Sequence, residues 1–327
     1  MESNKIIYFG TPEFAVEPLK VLLDSGYNVC AVVTAPDKPA GRGLQSSQSD
    51  VKKFALERGL TVLQPHLLKD KQFLTLLKEY NAHIFVVVAF RMLPKEVWSI
   101  PKLGTFNLHA SLLPMYRGAA PINHAIINGE KLTGVTTFMI DDKIDTGKII
   151  FQEECEITES DCAGTLHDKL MHQGSLLVVQ TVKALITGKV QLYPQSRYLS
   201  GWGELKEAPK LTKESCRIDW NRNSKELFNL IRGLSPYPAS HSIMYSEDRV
   251  IPVKIFSAVC EDNNYMAGVI NSCKNPGDIE SDNRTFMKVK CGTGNLSITS
   301  VQAAGKKRLG IKEFLAGIRD IESYRFK

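Results

Sequence analysis

The first 190 residues alternate between short apolar runs with strand character and longer stretches with helical periodicity. His83–Phe90 is a nearly continuous apolar run, which is typical of a strand buried on both faces. Strands that alternate with helices in this way predict a doubly wound, mostly parallel sheet, a Rossmann-like α/β fold. Ligands of such sheets bind outside the carboxyl ends of the strands. Gly10, Ala89–Arg91 and Asn107–His109 are predicted to lie at or near those ends.

The elements of this region are predicted from the spacing of apolar residues and from the glycine and proline residues between them. Strands are predicted at Lys5–Phe9, Asn28–Thr34, His83–Phe90, Leu103–His109, Thr133–Ile140 and Lys148–Glu154. Helices are predicted at Glu13–Ser25, Val51–Arg58, Lys69–Tyr80, Ala119–Asn128 and Gly164–Thr187. The last two strands bracket a turn at Asp145, and we expect them to pair antiparallel at a mixed edge of the sheet.

Beyond residue 190 the pattern changes, and a chain of 327 residues is long for one domain. Residues 191–210 have no strong periodicity and contain two prolines and two glycines, which predicts a linker. Helices are predicted at Asn223–Gly233 and Ile311–Ile318. Short strands lie between them, at Ser240–Tyr245, Val250–Val259, Met266–Ile270, Met287–Cys291 and Leu296–Val301. This spacing indicates a small, OB-like β-barrel. We expect an α/β domain at 1–190, a linker at 191–208 and the barrel domain at 209–327.

The composition excludes several classes of protein. Hydrophobic residues make up 43% and charged residues 23%, as in soluble globular proteins. No run approaches the roughly 18–20 apolar residues of a membrane span, and the N-terminus leads into an apolar strand too short for a signal peptide. The seven cysteines form no C-x-x-C pair and no zinc-ligand spacing, which predicts reduced thiols and no metal. We therefore expect a cytoplasmic protein without membrane contacts. A monomer is expected as well.

The net charge of +6 is unevenly distributed. Residues 201–327 hold 20 Lys and Arg against 15 Asp and Glu, whereas residues 1–200 are nearly balanced. This bias fits a surface that contacts phosphate, although a solvated basic face would produce the same count.

Asn107 and His109 lie two residues apart on a predicted strand, so both side chains leave the same face. Asp145 follows about thirty residues later in an Asp-Thr-Gly turn. Each of the three has an ordinary structural explanation: a strand-end asparagine, a half-buried histidine and a turn aspartate. Together, a carboxamide, an imidazole and a carboxylate can donate to a developing oxyanion, take up a proton and orient the imidazole. That combination favours acyl transfer to an amine.

These residues belong to a longer motif, Asn-Leu-His-Ala-Ser-Leu-Leu-Pro-Met-Tyr-Arg-Gly-Ala-Ala-Pro at 107–121, which resembles the 10-formyltetrahydrofolate-dependent formyltransferase family. Further segments resemble the branch of that family that acts on methionyl-tRNA. They are Phe-Gly-Thr-Pro-Glu-Phe at 9–14, Pro-Asp-Lys-Pro-Ala-Gly-Arg-Gly at 36–43, Ala-Pro-Lys at 208–210, Ile-Asp-Trp at 218–220 and Ile-Arg-Gly-Leu-Ser-Pro-Tyr-Pro at 231–238. The resemblance covers essentially the whole chain.

The resemblance implies transfer of a formyl group from 10-formyltetrahydrofolate to the α-amine of methionine on initiator tRNA, for translation initiation, with tetrahydrofolate as the other product. It implies that Asn107, His109 and Asp145 are catalytic. The folate site that it implies is formed by Ser111, Leu112, Leu113 and Pro114, by Val88, Ala89 and Phe90, and by Ile140 and Asp142.

The same resemblance assigns tRNA contacts to the loop 36–49, through Lys38 and Arg42. In the barrel domain the basic cluster Lys306, Lys307 and Arg308 is expected to meet tRNA phosphates. The chain departs from the family at two places. Ala-Phe-Arg-Met-Leu-Pro at 89–94 replaces a Tyr-Gly-containing stretch, which puts the shape of the folate pocket at Arg91 in question. The loop 36–49 also carries fewer lysines than in many relatives.

Other functions remain open from the sequence. A folate-dependent formyltransferase for a small amine, or a hydrolase that releases formate, would share the same three residues. A non-catalytic RNA-binding protein is disfavoured by the intact set of three. A dinucleotide-dependent oxidoreductase is disfavoured because no G-x-G-x-x-G follows the first strand.

Overall fold

The computed structural model of the chain describes residues 4–40, 45–199, 204–261 and 275–327. It divides into two compact units. The N-terminal unit comprises Met1–Pro121, Leu132–Glu156 and His167–Ala208, and the C-terminal unit comprises Ile122–Lys131, Ile157–Leu166 and Pro209–Lys327. The predicted domain bounds run without interruption along the chain and stay a prediction. Segments 122–131 and 157–166 nevertheless group with the C-terminal unit.

The strands of the described residues begin in the N-terminal unit with β1 Lys5–Gly10, β2 Asn28–Val33, β3 Lys38–Ala40, β4 Gln45–Ser47, β5 Val62–Leu63, β6 Ile84–Val88, β7 Thr105–His109, β8 Arg117–Gly118, β9 Leu132–Met139, β10 Ile149–Glu156 and β11 Glu207–Ala208. Those of the C-terminal unit are β12 Ser240–Tyr245, β13 Val250–Glu261, β14 Ile279–Ser281, β15 Met287–Lys290, β16 Asn295–Ala303, β17 Leu309–Gly310 and β18 Arg325–Phe326.

The α-helices are α1 Val16–Asp24, α2 Asp50–Glu57, α3 Lys71–Glu79, α4 Lys95–Trp98, α5 Pro121–Ile127, α6 Ala163–Ile186, α7 Ser224–Gly233 and α8 Ile311–Leu315. Short 3₁₀ helices lie at Glu13–Ala15, Gln195–Tyr198, Glu214–Cys216 and Ile321–Ser323. None of the helices described by the structure combines the length and the apolar character that crossing a membrane requires.

The main sheet of the N-terminal unit has the strand order β10-β9-β7-β6-β1-β2-β5. Strands β7, β6, β1, β2 and β5 pair in parallel, and β9 pairs antiparallel with both β7 and β10. The predicted fold class, a doubly wound and mostly parallel sheet with a mixed edge, is confirmed. Val88 pairs with Gly10 on one side and with Leu108 on the other, so the carboxyl ends of β1, β6 and β7 are level.

Two helices of this unit, α2 and α3, begin with a side-chain N-cap. Ser49 accepts a hydrogen bond from the Lys52 amide at the start of α2, and Asp70 accepts one from the Phe73 amide at the start of α3. Such N-caps satisfy amides that have no partner within the helix. The sheet and α3 share an apolar core that includes Ile7, Phe9, Phe73, Leu77, Phe85 and Val87.

The C-terminal unit is built on an antiparallel sheet in the order β14-β15-β16-β13-β12-β18. An additional bridge between Asp278 and Arg325 links the two ends of this order, so the sheet is nearly closed into a barrel, as predicted. Its interior contains Trp220, whose ring lies 5.0 Å from that of Phe326 between centroids, and it is covered by α7. The strand predicted at Met266–Ile270 lies outside the described residues.

The predicted linker contains ordered elements wherever the structure describes it. Tyr193 and Ile149 exchange backbone hydrogen bonds of 2.8 and 2.9 Å, and the 3₁₀ helix Gln195–Tyr198 follows directly. At the end of the segment, β11 pairs in parallel with β8. These residues therefore pack as part of the N-terminal unit.

Candidate active site

Asn107 and His109 are the third and the last residue of β7, at the edge of the sheet where the carboxyl ends of the parallel strands are level. His109 is 6% exposed, whereas Asn107 is half-buried. The Asn107 carboxamide makes no hydrogen bond to any residue that the structure describes. A polar group at a strand end with its donors and acceptor unused is available to a ligand.

The imidazole of His109 is oriented by the backbone. Its Nε2 lies 2.9 Å from the carbonyl oxygen of Tyr116. Because a carbonyl only accepts, Nε2 carries a hydrogen in this contact, and the tautomer is assigned from that partner. The other ring nitrogen, Nδ1, lies 3.9 Å from Asp145 Oδ2. A proton on Nδ1 would therefore face a carboxylate.

Asp145 lies in the turn between β9 and β10 with a left-handed backbone, φ +54°. Its Oδ2 accepts a hydrogen bond of 3.0 Å from the Gly118 amide. Two residues on, Gly147 is in contact with the preceding strand: a Cβ there would lie 1.6 Å from the carbonyl oxygen of Met139. The glycine of the Asp-Thr-Gly turn is thus required by a close backbone approach and not only by turn propensity.

Gln195 contacts this turn from the segment that the sequence predicted to be a linker. Its Nε2 donates to the carbonyl oxygens of Asp145 and Gly147, at 2.8 and 2.9 Å. Its Oε1 accepts from Arg117. Sequence analysis assigned no role to Arg117 and Gly118, although both lie in the 107–121 motif. It missed Gln195 entirely, because no motif or periodicity marks a residue that meets the site only through contacts distant in sequence.

The four residues at 111–114, predicted to line a folate site, are all buried. The Ser111 hydroxyl donates to the carbonyl oxygen of Met115 at 2.7 Å. The Leu113 amide donates to Thr136 Oγ1 at 3.2 Å, and Thr136 in turn donates to the Ser111 carbonyl at 2.6 Å. The loop after β7 is therefore fixed against β9. Its role in ligand binding stays a prediction.

The second predicted group follows β6. Val88 is fully buried, Ala89 is exposed with φ +46°, and Phe90 packs edge-on against Phe9 with centroids 5.7 Å apart. A left-handed backbone at alanine is strained by about 1 kcal/mol or more, and such strain is concentrated at functional sites. From the third group, Ile140 is half-buried with its amide donating to Thr105, and Asp142 is exposed.

Arg91, the residue at which the sequence departs from the family, is anchored at this edge of the sheet. Its Nη1 donates to the carbonyl oxygen of His66 at 2.9 Å, and its Nη2 donates to that of Pro65. The guanidinium carbon lies 5.7 Å from the centroid of the Phe90 ring. Partial burial lowers the pKa of the Arg91 guanidinium, which nonetheless remains a cation at neutral pH.

The residues predicted to bind tRNA belong to both units of the chain. Lys38 belongs to β3, which pairs antiparallel with β4, and Arg42 lies outside the described residues. Lys306 and Lys307 are exposed in the C-terminal unit. Arg308 is also exposed, but its guanidinium stacks 4.4 Å from the centroid of the Phe256 ring and donates to Ser300 Oγ at 2.8 Å.

A cleft of about 910 Å³ opens on the C-terminal unit beside β12 and β13. Apolar side chains, among them Ile243 and Val253, form part of its lining, and Lys213, Arg217 and Lys254 contribute cationic side chains. No local sequence pattern predicts this cleft, since its lining comes from four separate segments.

Two family models match successive parts of the chain. The family model described as "Formyl transferase" matches residues 4–182, and that described as "Formyl transferase, C-terminal domain" matches residues 210–319. The chain belongs to the formyl transferase family, which confirms the membership predicted from the motifs and makes it an enzyme.

Relatives that are similar along nearly the whole chain are named methionyl-tRNA formyltransferase. The methionyl-tRNA formyltransferase of Bacteroides fragilis is 48% identical over 327 residues, which cover 100% of this chain and 98% of the relative. That of Flavobacterium johnsoniae is 49% identical over 320 residues, with 97% of each chain covered. Among solved structures, an N-formyltransferase of Helicobacter canadensis matches with a TM-score of 0.62 and 21% identity, covering 92% of this chain and 99% of that one. The structural likeness supports the fold.

We expect Gly147→Ala to lower the free energy of unfolding by about 3 kcal/mol, because the new methyl group forces the Asp145 turn away from the Met139 carbonyl. Urea denaturation measures this loss. The matched control is Gly188→Ala, where φ is +66° but nothing lies within 4 Å of the added Cβ. It should cost only about 1 kcal/mol, from the left-handed backbone. Equal losses in the two variants would mean that the close approach at Gly147 does not constrain the turn.

Proposed function

We propose that this enzyme transfers the formyl group of 10-formyltetrahydrofolate to the α-amine of methionine on initiator methionyl-tRNA. The supporting observation is a strand end that presents an unused carboxamide, Asn107, beside the oriented His109–Asp145 pair. It occurs in a chain that aligns end to end with relatives named methionyl-tRNA formyltransferases. The proposal places the enzyme in the cytoplasm as a monomer.

In this reaction the amine nitrogen attacks the formyl carbon, and negative charge develops on the formyl oxygen while the nitrogen becomes positive. The Asn107 carboxamide is the free donor at the strand end, and it stabilises that oxygen. His109 Nδ1, the ring nitrogen without a hydrogen-bond partner among the described residues, exchanges a proton next to Asp145. The attacking nitrogen loses a proton to Asp145 or to His109 Nδ1, directly or through water, and the Asp145 carboxylate stabilises the imidazolium form. The oxyanion then collapses, the bond between the formyl carbon and the folate nitrogen that carries it breaks, and that nitrogen takes up a proton as tetrahydrofolate leaves.

The folate substrate is assigned to the edge formed by Val88–Phe90, Ile140–Asp142 and the loop 111–114. The exposed backbone at Ala89 fits a flat heterocycle, because backbone amides and carbonyls can pair with ring N–H and C=O groups. The buried loop after β7 supplies a rigid wall. Folate glutamate carboxylates are anions, and Arg91 is a fixed cation at the same strand end.

The tRNA substrate is assigned to Lys38 and Arg42 in the N-terminal unit and to Lys306, Lys307 and Arg308 in the C-terminal unit. Exposed lysines suit phosphate contacts, which position nucleic acid without reading its bases. The cleft on the C-terminal unit contributes three further cationic side chains to that unit, Lys213, Arg217 and Lys254. These contacts supply affinity, whereas the N-terminal unit supplies the chemistry.

The proposal is tested by formyl transfer from 10-formyltetrahydrofolate to methionyl initiator tRNA, with methionyl elongator tRNA and free methionine as controls. Formylation of the initiator species alone is the expected result. Formate release, or formylation of a small amine without transfer to tRNA, would keep the site and overturn the substrate.

We expect His109→Ala and Asn107→Ala each to lower turnover by about 10²-fold or more, since each removes a group that acts on the developing charge. Thermal unfolding should change little for Asn107→Ala, because its side chain supports no described hydrogen bond. Asn28→Ala, an exposed asparagine at the start of β2, is the matched control and should retain full turnover. Wild-type turnover in either site variant would remove that residue from the mechanism.

We expect the double variant Lys306→Ala/Lys307→Ala to lower kcat/KM for tRNA. The slope of log(kcat/KM) against the logarithm of salt concentration should become shallower by up to about two units, because tRNA that makes fewer phosphate contacts releases fewer counterions on binding. The KM for the folate substrate should stay constant. Lys312→Ala, exposed on α8 of the same unit, serves as control. An unchanged salt slope in the double variant would exclude these lysines from the tRNA contact.

A further inference from the structure

We propose that Gln195 is a positioning residue for Asp145, acting together with Arg117. The inference rests on the catalytic role of Asp145 in the proposed function. Gln195 is 5% exposed, and it lies in a segment that the sequence indicates to be a linker. Its carboxamide joins the turn that carries Asp145 to the strand β8, whose backbone holds the Asp145 carboxylate.

The hydrogen-bonding capacity of the Gln195 carboxamide is fully used. The amide nitrogen has two hydrogens, and it donates to the two carbonyl oxygens of Asp145 and Gly147, at 2.8 and 2.9 Å. The amide oxygen accepts from Nε and Nη2 of Arg117, at 3.1 and 2.5 Å. A glutamate of the same shape could accept from Arg117 but could not donate to the two carbonyls. The chemistry of the contact therefore specifies glutamine.

The turn itself needs an external partner. Asp145 holds a left-handed backbone at φ +54°, and Gly147 is pressed against the Met139 carbonyl. A buried carbonyl oxygen without a donor would cost about 1–3 kcal/mol. Gln195 supplies one donor to each of two carbonyls in this turn, and so stabilises the conformation in which the Asp145 side chain faces His109.

The contact between Gln195 and Arg117 closes a ring of interactions. Gln195 holds Arg117, the next residue Gly118 donates its amide to Asp145 Oδ2 at 3.0 Å, and the backbone of Asp145 returns to Gln195. The preceding residue, Tyr116, accepts the hydrogen bond from His109 Nε2. The backbone at 116–118 thus orients both His109 and Asp145. Gln195 fixes the distance between this backbone and the turn.

Gln195 is itself held rigidly. The reciprocal backbone bonds between Tyr193 and Ile149 tie its segment to the strand that follows the Asp145 turn. Tyr198, at the end of the same 3₁₀ helix, packs against the buried cluster of Leu113, Phe138 and Ile149. A side chain presented by a fixed element can impose a position on its partners, whereas one on a free linker would adapt to them.

The experiment is a double-mutant cycle. Gln195→Met keeps the length of the side chain and removes all four hydrogen bonds, and it is made in the wild type and in Asp145→Asn. We expect kcat to fall about 10²-fold in the wild-type background, as misplacement of a catalytic group does. The KM values for both substrates should change by less than about threefold. In the Asp145→Asn background, Gln195→Met should lower kcat by less than about threefold, because the effects of substitutions at residues that act through one another are not additive.

A second readout does not depend on activity. Hydrogen exchange of the Gly118 amide, followed by NMR, reports the bond to Asp145 Oδ2. We expect exchange about tenfold faster in Gln195→Met and in Asp145→Ala, as local opening of this bond becomes easier. Gln173→Ala is the control, since its Nε2 donates to the Glu154 carbonyl at 3.2 Å, away from the turn. Arg117→Lys, which keeps the charge but not the paired donors, should reproduce the effect of Gln195→Met more weakly.

The outcomes separate the two claims. Unchanged Gly118 exchange in Gln195→Met, or equal losses of kcat in both backgrounds, would overturn the positioning role. Faster Gly118 exchange together with absent formyl transfer in the wild type would uphold positioning and overturn the proposed function. If Gln195→Met does not fold, Gly118 exchange and the kcat cycle in Arg117→Lys decide by the same criteria.

Discussion

The register of three neighbouring strands determines where everything else in the candidate site can lie. Val88 pairs with Gly10 and with Leu108, so three parallel strands end at one level. The loops that follow are therefore neighbours, although their residues are separated by up to a hundred positions in the sequence. At this edge the chain uses small residues to bring the backbones together. A Cβ at Gly10 would lie 2.7 Å from that of Ala15 and 3.3 Å from the Val88 carbonyl.

At that edge, the side chains of His109 and Asp145 each make a direct hydrogen bond to a main-chain atom. The His109 ring is oriented by the Tyr116 carbonyl, and the Asp145 carboxylate by the Gly118 amide. Backbone atoms move less than side chains, so such contacts hold a geometry with little loss of conformational entropy on substrate binding. Arg91 is oriented in the same way, because its guanidinium donates to two backbone carbonyl oxygens without any ligand.

Sequence reasoning succeeded where a local pattern carries the information. The continuous apolar run at 83–90 and the long amphipathic stretch at 164–187 correspond to β6 and α6 within a few residues, and the strand with Asn107 and His109 ends as expected. It missed β14 and β18, which are short and have no period to detect. The linker at 191–208 stays a prediction, and local sequence pattern gives no sign of the long-range contacts that this segment makes. Gln195 meets Asp145 across 50 positions, and no periodicity encodes such a meeting.

The division of the chain into units has a consequence for how the protein is made. Segments 122–131 and 157–166 group with the C-terminal unit, while the stretches before, between and after them group with the N-terminal unit. Synthesis proceeds from the N-terminus, so both segments are synthesised before residue 209. Ile127, for example, packs against the core of the C-terminal unit and cannot do so until the barrel has been synthesised. The order in which these segments are synthesised therefore differs from the order in which they pack.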